Sequence, residues 1–503
     1  MVGILIYFCF FHQNTAEKGG GHDIVLFNGK NNQIHFTCIS TRQSDNRVSL
    51  HWSRIDDKSE WLPNNFSKCV FVSSKSTQSN AKDTFTCGLN ESCACLTISH
   101  CLSQLIVEFV DEIKVLSGTV VEGKGVEIGE KTISVNGASP AGSAIETKFE
   151  SSGLSLFCVG TGELSVSDLS VIHNSSFENN RRSRLFEVKG SGLIDVKRMN
   201  ISMDADHSEE RSIQNSLVKL DGGSLKMKDV RWEQTFSATN VMSVSQDATV
   251  SLTLENETFS NIVRTTAGSS LMSLGEGSYS ITLEGCTIDG CGSEDSDFGG
   301  GLMVEIGSGD SLNVKGGVVK NCYASTIQGR GGGIGLKVKD INTDLIISSV
   351  FEGCKAKWGS DIFVDSIDLE STAKSGKITF LTASNSTINN IRGFNNRDDS
   401  IPIPLCAYLI SLPEEIVVSS VDAFDHSLCG FSEFPCLTLR HCLTRQEEEK
   451  KIVVDGMIEV KNELTFGSFK HTIRGKDGKS GWKVIDDSDG SGESMITVSE
   501  MQI

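Results

Sequence analysis

An all-β fold, in which short parallel strands wind into a helical coil, is predicted for this chain of 503 residues from two internal repeats. A long repeat, with an offset of 340 to 342 residues, relates residues 87–159 to residues 429–498. A short repeat, with a period near 30 residues, runs through residues 164–352. Periods of this length are typical of solenoids, in which each unit packs only against its neighbours.

The short repeat contains segments in which apolar and polar residues alternate. Apolar pairs recur at Leu164/Val166, Ile194/Val196, Leu225/Met227, Leu252/Leu254, Ile281/Leu283 and Leu312/Val314. A second family recurs at Phe186/Val188, Val218/Leu220, Met242/Val244, Met272/Leu274, Val304/Ile306 and Leu336/Val338. Alternation with a period of two indicates a strand with one buried face. Several strands per 30 residues predict one coil of a parallel β-helix, and coils stack at about 4.8 Å. We expect Leu283, Val314 and Ile346 to stack in the core.

The long repeat is a duplicated module, because the same cysteines and neighbours recur in one frame. The shared cysteines are Cys87, Cys95 and Cys101 in the first copy and Cys429, Cys436 and Cys442 in the second. The pair Thr132-Ile133 recurs as Thr472-Ile473. We therefore predict an N-terminal segment at 1–86, a complete β-helix at 87–400, a linker at 401–428 and the truncated start of a second module at 429–503. Strand-like runs in 22–72 are interpreted as the last coils of an earlier module.

The short motifs resemble those of known β-helical repeat proteins. Phe177-Glu-Asn-Asn180, Phe351-Glu-Gly-Cys354 and Gly331-Gly-Gly-Ile334 are similar to the Phe-x-x-Asn and Gly-Gly-aliphatic repeats of polymorphic outer-membrane proteins. The Cys-Gly, Cys-Leu-Thr-Leu and Cys opening resembles tandem β-helix modules in surface proteins of protists. This resemblance implies a right-handed parallel β-helix of the pectin-lyase-like kind, with an adhesin-like role.

The cysteines at each module opening predict a crosslinked cap. A short helix at 95–105 would cover the unpaired strand edges of the first coil. We expect Cys87 to bond to Cys95 or to Cys101, with the third cysteine packed as a thiol, and the second copy to follow the same plan. Farther along, Cys291, Cys322 and Cys354 recur one coil apart. A column of buried thiols is the favoured interpretation there, and crosslinks between coils are the alternative.

Charge and surface motifs indicate which partners and compartment to expect. The net charge of −19 repels phosphate groups and anionic lipids, so we expect no nucleic acid partner. No run of 18 apolar residues occurs, so we expect no membrane insertion within this chain. The apolar stretch from Val2 to Phe11 resembles a signal peptide without a basic start. An extracellular or cell-surface location is therefore expected. Glycosylation candidates are Asn65, Asn90, Asn174, Asn200, Asn256 and Asn385.

Catalytic motifs are incomplete. Galacturonan hydrolases of the resembled fold use Asn-x-Asp, Asp-Asp, Gly-His-Gly and Arg-x-Lys motifs. This chain has Asn342-Thr-Asp344, Asp398-Asp399 and Arg474-Gly-Lys476, but it has no Gly-His-Gly. A calcium site would need six to eight oxygens, and we interpret Asp289, Asp295, Asp297 and Asp310 as polar loop residues instead. No catalytic, cofactor or metal residue is predicted.

The sequence therefore favours a non-catalytic scaffold that binds glycans or surface proteins. Outward positions of the coils are mostly Ser, Thr, Lys, Glu and Asp, without a convergent acid–base set. A carbohydrate-active enzyme of the same fold, either a polysaccharide lyase or a glycoside hydrolase, is the alternative. A duplicated fragment without retained activity is a third possibility. Fold alone does not decide between them.

Overall fold

The computed structural model confirms the predicted all-β, parallel β-helical fold. It describes residues 8–9, 24–30, 33–41, 48–55, 69–74, 81, 83, 94–103, 110–203, 212–245, 248–274, 278–378, 390–395, 401–409, 411–444, 451–460, 464, 472–477, 479–485, 493–497 and 501–502. The chain divides into two compact units, residues 1–68 and residues 69–503.

The first unit is a small antiparallel sheet. Its strands, in sheet order, are β1 (Phe8–Cys9), β2 (Ile24–Lys30), β3 (Gln33–Thr41) and β4 (Val48–Ile55). Lys30 pairs directly with Gln33, and such a tight connection can join only antiparallel strands. The interpretation of the runs at 24–55 as β-helical coils was therefore wrong, whereas the run at Cys69–Val72 does belong to the parallel β-helix.

The second unit begins with a long parallel β-helix. Its strands are β5 (Cys69–Val72), β6 (Glu112–Val115), β7 (Gly118–Glu122), β8 (Val126–Ile128), β9 (Thr132–Gly137), β10 (Ser143–Thr147), β11 (Ser155–Val159), β12 (Glu163–Ser167), β13 (Ser170–His173), β14 (Arg184–Lys197), β15 (Asn200–Met203), β16 (Val218–Lys228), β17 (Arg231–Ser237), β18 (Met242–Val244), β19 (Thr249–Glu255), β20 (Thr258–Arg264), β21 (Met272–Leu274), β22 (Ser278–Glu284), β23 (Thr287–Asp289), β24 (Leu302–Ile306), β25 (Ser311–Lys320), β26 (Ile334–Val338), β27 (Asp344–Glu352), β28 (Ile362–Ser366), β29 (Ile391–Asn395) and β30 (Ile403–Pro404). Short helices are α1 (Ile98–Ser103), α2 (Glu178–Arg181), α3 (Leu369–Lys374) and a 3₁₀ helix at Leu405–Tyr408.

These strands stack into three ladders that run along the coil. Ladder A contains β5, β6, β9, β12, the second halves of β14 and β16, β19, β22, and the first halves of β25 and β27. Ladder B contains β7, β10, β13, β15, β17, β20, β23, and the second halves of β25 and β27. Ladder C contains β8, β11, the first halves of β14 and β16, β18, β21, β24, β26, β28 and β29.

The pairing register confirms the predicted core column of ladder A. Leu164 pairs with Ile194, and the column continues through Leu225, Leu252, Ile281 and Leu312, all of them buried. In the coils from β12 to β25, the corner between the two ladders is two residues long, and its first position has positive φ. This first position is occupied by Asp168, Arg198, Asp229, Asn256, Gly285 and Gly316. Because the corner has constant length in these coils, strands A and B keep the same register there, and the register shifts between β25 and β27, where the corner is shorter.

Two predicted registers were wrong. In ladder C, Met272 pairs with Leu302 and not with Val304. The turn that precedes ladder C varies in length between coils, and the alternation of apolar residues gives no information on that length. In ladder A, the buried neighbour of Val314 is Ile347, while Ile346 is only half-buried and pairs with Asn313. A shift of one residue moves a side chain to the opposite face of a strand.

The second module opens with the same elements as the first. Its strands are β31 (Glu415–Ser419), β32 (Lys451–Asp455), β33 (Met457–Val460), β34 (Thr472–Gly475), β35 (Gly481–Ile485), β36 (Glu493–Thr497) and β37 (Met501–Gln502), with the helix α4 at Leu439–Thr444. The strand β31 lies within the segment predicted as a linker, and its counterpart β5 lies within the predicted N-terminal segment. Lys451 and Glu112 are equivalent, because each lies opposite the first residue of the opening strand, Glu415 or Cys69. Thr472 lies opposite Lys451, and Ser134 lies opposite Glu112. The pair Thr472-Ile473 therefore corresponds to Ser134-Val135 and not, as predicted, to Thr132-Ile133.

Candidate functional site

The opening cysteines lie around the capping helices. Cys429 and Cys436 form a disulfide, and Cys442 is a buried thiol in α4. In the first copy, Cys95 is also in a disulfide, and Cys101 is a buried free thiol in α1. Cys87 lies outside the described residues, so its pairing stays a prediction. The disulfide of the second copy joins positions that correspond to Cys87 and Cys95.

The column of Cys291, Cys322 and Cys354 is buried and consists of free thiols. The Cys322 thiol lies 3.6 Å from the carbonyl oxygen of Ile288, one coil earlier. A hydrogen bond with Cys322, together with burial, raises the pKa of the Cys354 thiol. Protonated, enclosed thiols are poor nucleophiles, so this column contributes to packing.

The glycosylation candidates differ in their surroundings. Asn200 and Asn256 are exposed. Asn174 is half-buried, and its side chain donates to Glu146 Oε1 (2.9 Å) and accepts from the Ser176 amide (3.1 Å). Asn65, Asn90 and Asn385 lie outside the described residues.

The sequence-predicted acidic residues do not assemble into one site. Asp310 is buried and accepts from the amides of Tyr279 (3.1 Å) and Gly307 (2.8 Å), so it stabilises a turn. Asp289 pairs with Lys320 at 3.2 Å, and Asp297 accepts from Gln328. Across the described ranges, no group of three or more His, Cys, Asp or Glu residues could hold a metal ion.

The hydrolase-like motifs are also dispersed. Asp344 is exposed at the start of β27, in the first module. Arg474 and Lys476 belong to the second module, where they pair with Glu415 (2.8 Å) and Asp455 (2.7 Å). Asp398 and Asp399 lie outside the described residues. Arg474 and Lys476 therefore stabilise strands of the second opening, whereas Asp344 belongs to a strand of the first module.

A concentrated set of charged and aromatic side chains lies instead on the outer face of ladder C. Two outward columns cross its last four coils. One column consists of Met303, Gly335, Phe363 and Arg392, and the other consists of Glu305, Lys337, Asp365 and Phe394. We call these residues, with Phe298 and Arg330 beside them, the ladder C patch. The outer face of ladder A differs, since its central coils carry small polar residues: Ser251, Ser280, Ser311, Thr253, Thr282 and Asn313.

Aromatic rings and cations pack together in the ladder C patch. The Phe363 ring contacts Phe298 and Phe394 edge-to-face, with centroids 5.9 and 4.9 Å apart. The Arg330 guanidinium lies 4.7 Å from the Phe394 centroid, and the Lys337 ammonium lies 5.7 Å from the Phe298 centroid. Cations over ring faces are attracted by the quadrupole of the ring. These contacts give the patch a rigid, partly apolar surface with charged groups at its edges.

Cations lie beside both carboxylates of the patch. Glu305 forms an ion pair with Lys339, and its side chain is 14% exposed. Burial raises the pKa of Asp365, while Lys337 and Arg330 act in the opposite direction. In the strand register, Lys337 lies between the two carboxylates, with Glu305 opposite it on the preceding coil and Asp365 opposite it on the following coil.

A cavity of about 400 Å³ adjoins the patch at the last coil. The first module contributes Trp358, Asn390 and Arg392 to its wall, and the second contributes Ser419, Asp422 and Glu433. The Arg392 guanidinium lies 5.2 Å from the centroid of Trp358. A cavity of this size, with an aromatic ring and several hydrogen-bonding groups, is typical of a small-molecule or sugar subsite.

Sequence reasoning missed this site because its residues lie on successive coils and are about 30 positions apart from one coil to the next. The alternation of Val304/Ile306 and Leu336/Val338 already placed Glu305 beside Lys337, and the register of ladder C adds Asp365 and Phe394 on the next two coils. Searches against protein-family models, curated proteins and solved structures found no match to the chain. Within the described residues, no helix has the length and apolar character needed to cross a membrane.

Proposed function

We propose that this protein is a non-catalytic extracellular or cell-surface β-helical scaffold, of the pectin-lyase-like kind, which binds glycans or surface proteins through the ladder C patch. The observation that carries the proposal is the gathering of the half-buried Phe298, Arg330, Lys337 and Phe394 on one outward face, around the fully buried ring of Phe363. This face continues into the cavity beside Trp358. Stacking rings with cations and amides around them suit sugar rings or the side chains of a partner.

The charge state of the patch supports binding more than catalysis. A general acid must hold a proton near a leaving group, and a general base must be free to accept one. Glu305 is held by Lys339, and Lys337 separates it from Asp365. Because Glu305 is committed to an ion pair and a lysine lies between it and Asp365, recognition is the function that the geometry favours.

A glycan array followed by titration calorimetry tests the proposal. Lys337→Ala and Phe394→Ala should each weaken binding of the best ligand by about tenfold, which corresponds to about 1.4 kcal/mol. Lys228→Ala is the matched control, because that lysine forms an exposed ion pair with Glu255 on ladder A (2.9 Å). Equal affinity in all three variants, or the absence of any glycan or protein ligand, would refute the proposal.

A carbohydrate-active enzyme is the second candidate, and one observation favours it. Glu305 and Asp365 lie in one column two coils apart, which corresponds to roughly 10 Å between their backbones. Inverting glycosidases use carboxyl groups about 6.5–9.5 Å apart. Release of reducing sugar from any polysaccharide, lost in both Glu305→Gln and Asp365→Asn, would establish this alternative in place of the scaffold.

A further inference from the structure

The segment between the two modules packs against the first module as folded chain. Ile403 and Pro404 pair in antiparallel fashion with Gly393 and Arg392 of the last ladder C strand. Pro402 and Leu405 are buried with them. Prolines restrict the backbone of this segment before it folds. The connection therefore has little slack at the point where the second module begins.

Arg392 joins the two modules through its guanidinium. Its Nη1 donates to the carbonyl oxygen of Pro402 (3.1 Å), and its Nη2 donates to the carbonyl oxygen of Glu433 in the second module (2.9 Å). The side chain is only 4% exposed, and burial lowers its pKa to about 10. A buried cation is costly unless its donors are satisfied, so these carbonyl groups are needed to hold it.

Aromatic rings continue the contact into the second module. Trp358, under the Arg392 guanidinium, meets Phe424 edge-to-face at 6.3 Å. Phe424 in turn lies 6.2 Å from Phe434, and the Phe424 amide donates to the carbonyl oxygen of Pro435. Phe434 is fully buried. A chain of stacked groups therefore runs from the last coil of the first module to the core of the second opening.

The first opening has other residues at the positions of these two aromatic rings. Asp83 and Asp425 occupy equivalent places, as do Cys95 and Cys436. In each opening, the aspartate accepts hydrogen bonds from the backbone amides of the two residues that follow the cysteine. Counting from these anchors, Phe424 corresponds to Lys82 and Phe434 to Cys93. The duplicated cap therefore does not itself require aromatic residues there.

We propose that the aromatic face of the second opening, Phe424 and Phe434, is a docking surface for the end of the preceding β-helix. Trp358 and Arg392 form the complementary surface on the first module. The partner is the C-terminal coil of a module in the same chain, and the two modules are joined as one rigid stack. The joint shares Arg392 with the ladder C patch, and its test measures the opening of the joint and not ligand binding.

The test uses the full chain with Arg392→Ala and, separately, Phe424→Lys, which places the residue of the first opening in the second. Chymotryptic cleavage after Tyr408 should become at least about tenfold faster in both, because cleavage follows the population of the open joint. The radius of gyration from small-angle X-ray scattering should also increase. If circular dichroism shows that Arg392→Ala unfolds the first module, the proposal is judged from the Phe424→Lys variant alone.

Arg330→Ala is the matched control, because this guanidinium also lies over aromatic rings, those of Phe394 and Phe363, but within the first module. It should leave cleavage and scattering unchanged. The proposal is overturned if Phe424→Lys leaves both measurements unchanged, or if Arg330→Ala accelerates cleavage as much as the two joint variants do.

Discussion

The two module openings share a backbone design but stabilise it with different chemistry. In both, an aspartate caps the segment that leads into the helix: Asp83 accepts from the Leu96 amide (2.7 Å) and Asp425 accepts from the Leu437 amide (3.1 Å). In both, a threonine hydroxyl caps the helix itself, with Thr97 accepting from His100 and Thr438 from His441. These shared bonds explain why the Cys-Leu-Thr segment recurs in the sequence.

The openings differ at the end of the first strand of ladder B. Gly118 and Gly456 both have positive φ before this strand, and they place Glu122 and Val460 at equivalent positions. Glu122 is buried and accepts from the Ile98 amide (2.9 Å), the Ser99 amide (3.2 Å) and the Ser99 hydroxyl (2.6 Å). The first opening is thus held by a buried polar network between coils.

The second opening has an apolar side chain and a cavity at the same place. Val460 lines a cavity of about 540 Å³ together with Leu437, Leu439 and Ile458. A covalent bond between Cys429 and Cys436 holds the loop beside it. The comparison teaches that a cap can keep its backbone while a carboxylate is exchanged for an apolar residue, provided that the strand edge remains covered.

The largest expected effect is that of Glu122→Ala. It leaves several buried donors without a partner, and we expect the first opening to lose about 3 kcal/mol of local stability. Hydrogen exchange of the α1 amides measures this loss against the α4 amides of the same sample. Val460→Ala is the control in the second opening, and it should cost about 1.5 kcal/mol of apolar contact. Similar losses in both openings would contradict the proposed difference.

The next effect is that of Cys429→Ser. Removal of a disulfide that closes a short loop should cost about 2.5 kcal/mol. The α4 amides should exchange faster, while α1, whose opening keeps the disulfide of Cys95, should be unchanged. Unchanged exchange in α4 would show that the apolar contacts alone hold the second opening.

A smaller effect, equal in both copies, is expected for the capping aspartates. Asp83→Ala and Asp425→Ala each remove, at an exposed site, the carboxylate that accepts hydrogen bonds from two backbone amides. Each variant should cost about 1 kcal/mol. Hydrogen exchange of the amides in α1 and α4 again provides the measurement. A difference of more than about 1 kcal/mol between the two variants would mean that the caps are not equivalent.

The smallest effect is a pH dependence confined to the first opening. Burial raises the pKa of Glu122 above its usual value of 4.5, more strongly than its hydrogen bonds lower it. The folded state therefore favours the protonated carboxyl, so the contribution is fully present below pH 4.5 and decreases as the pH rises through the folded-state pKa. The α1 amides, corrected for intrinsic exchange, should lose protection relative to α4 over this range. Glu122→Gln should abolish the difference, and its persistence would assign it to another group.

The sequence by itself determined the β-helix, the duplication and the core column of ladder A. These follow from local signals, because alternation places Leu252 and Ile281 on the buried face and a two-residue corner keeps the coils from β12 to β25 in step. The capping helix was also predictable, since Cys95 and Cys436 lie in recurring segments that precede α1 and α4.

Only the tertiary structure decided the ladder C patch, the buried role of Glu122 and the joint at Arg392. Each depends on residues that meet across turns of variable length or across modules, and no local pattern specifies such distances. The strand β31 at Glu415–Ser419 shows the same limit, because it becomes part of the second module only through its pairing with β32. Parallel pairing joins distant segments, so its register is settled by the packing of whole coils.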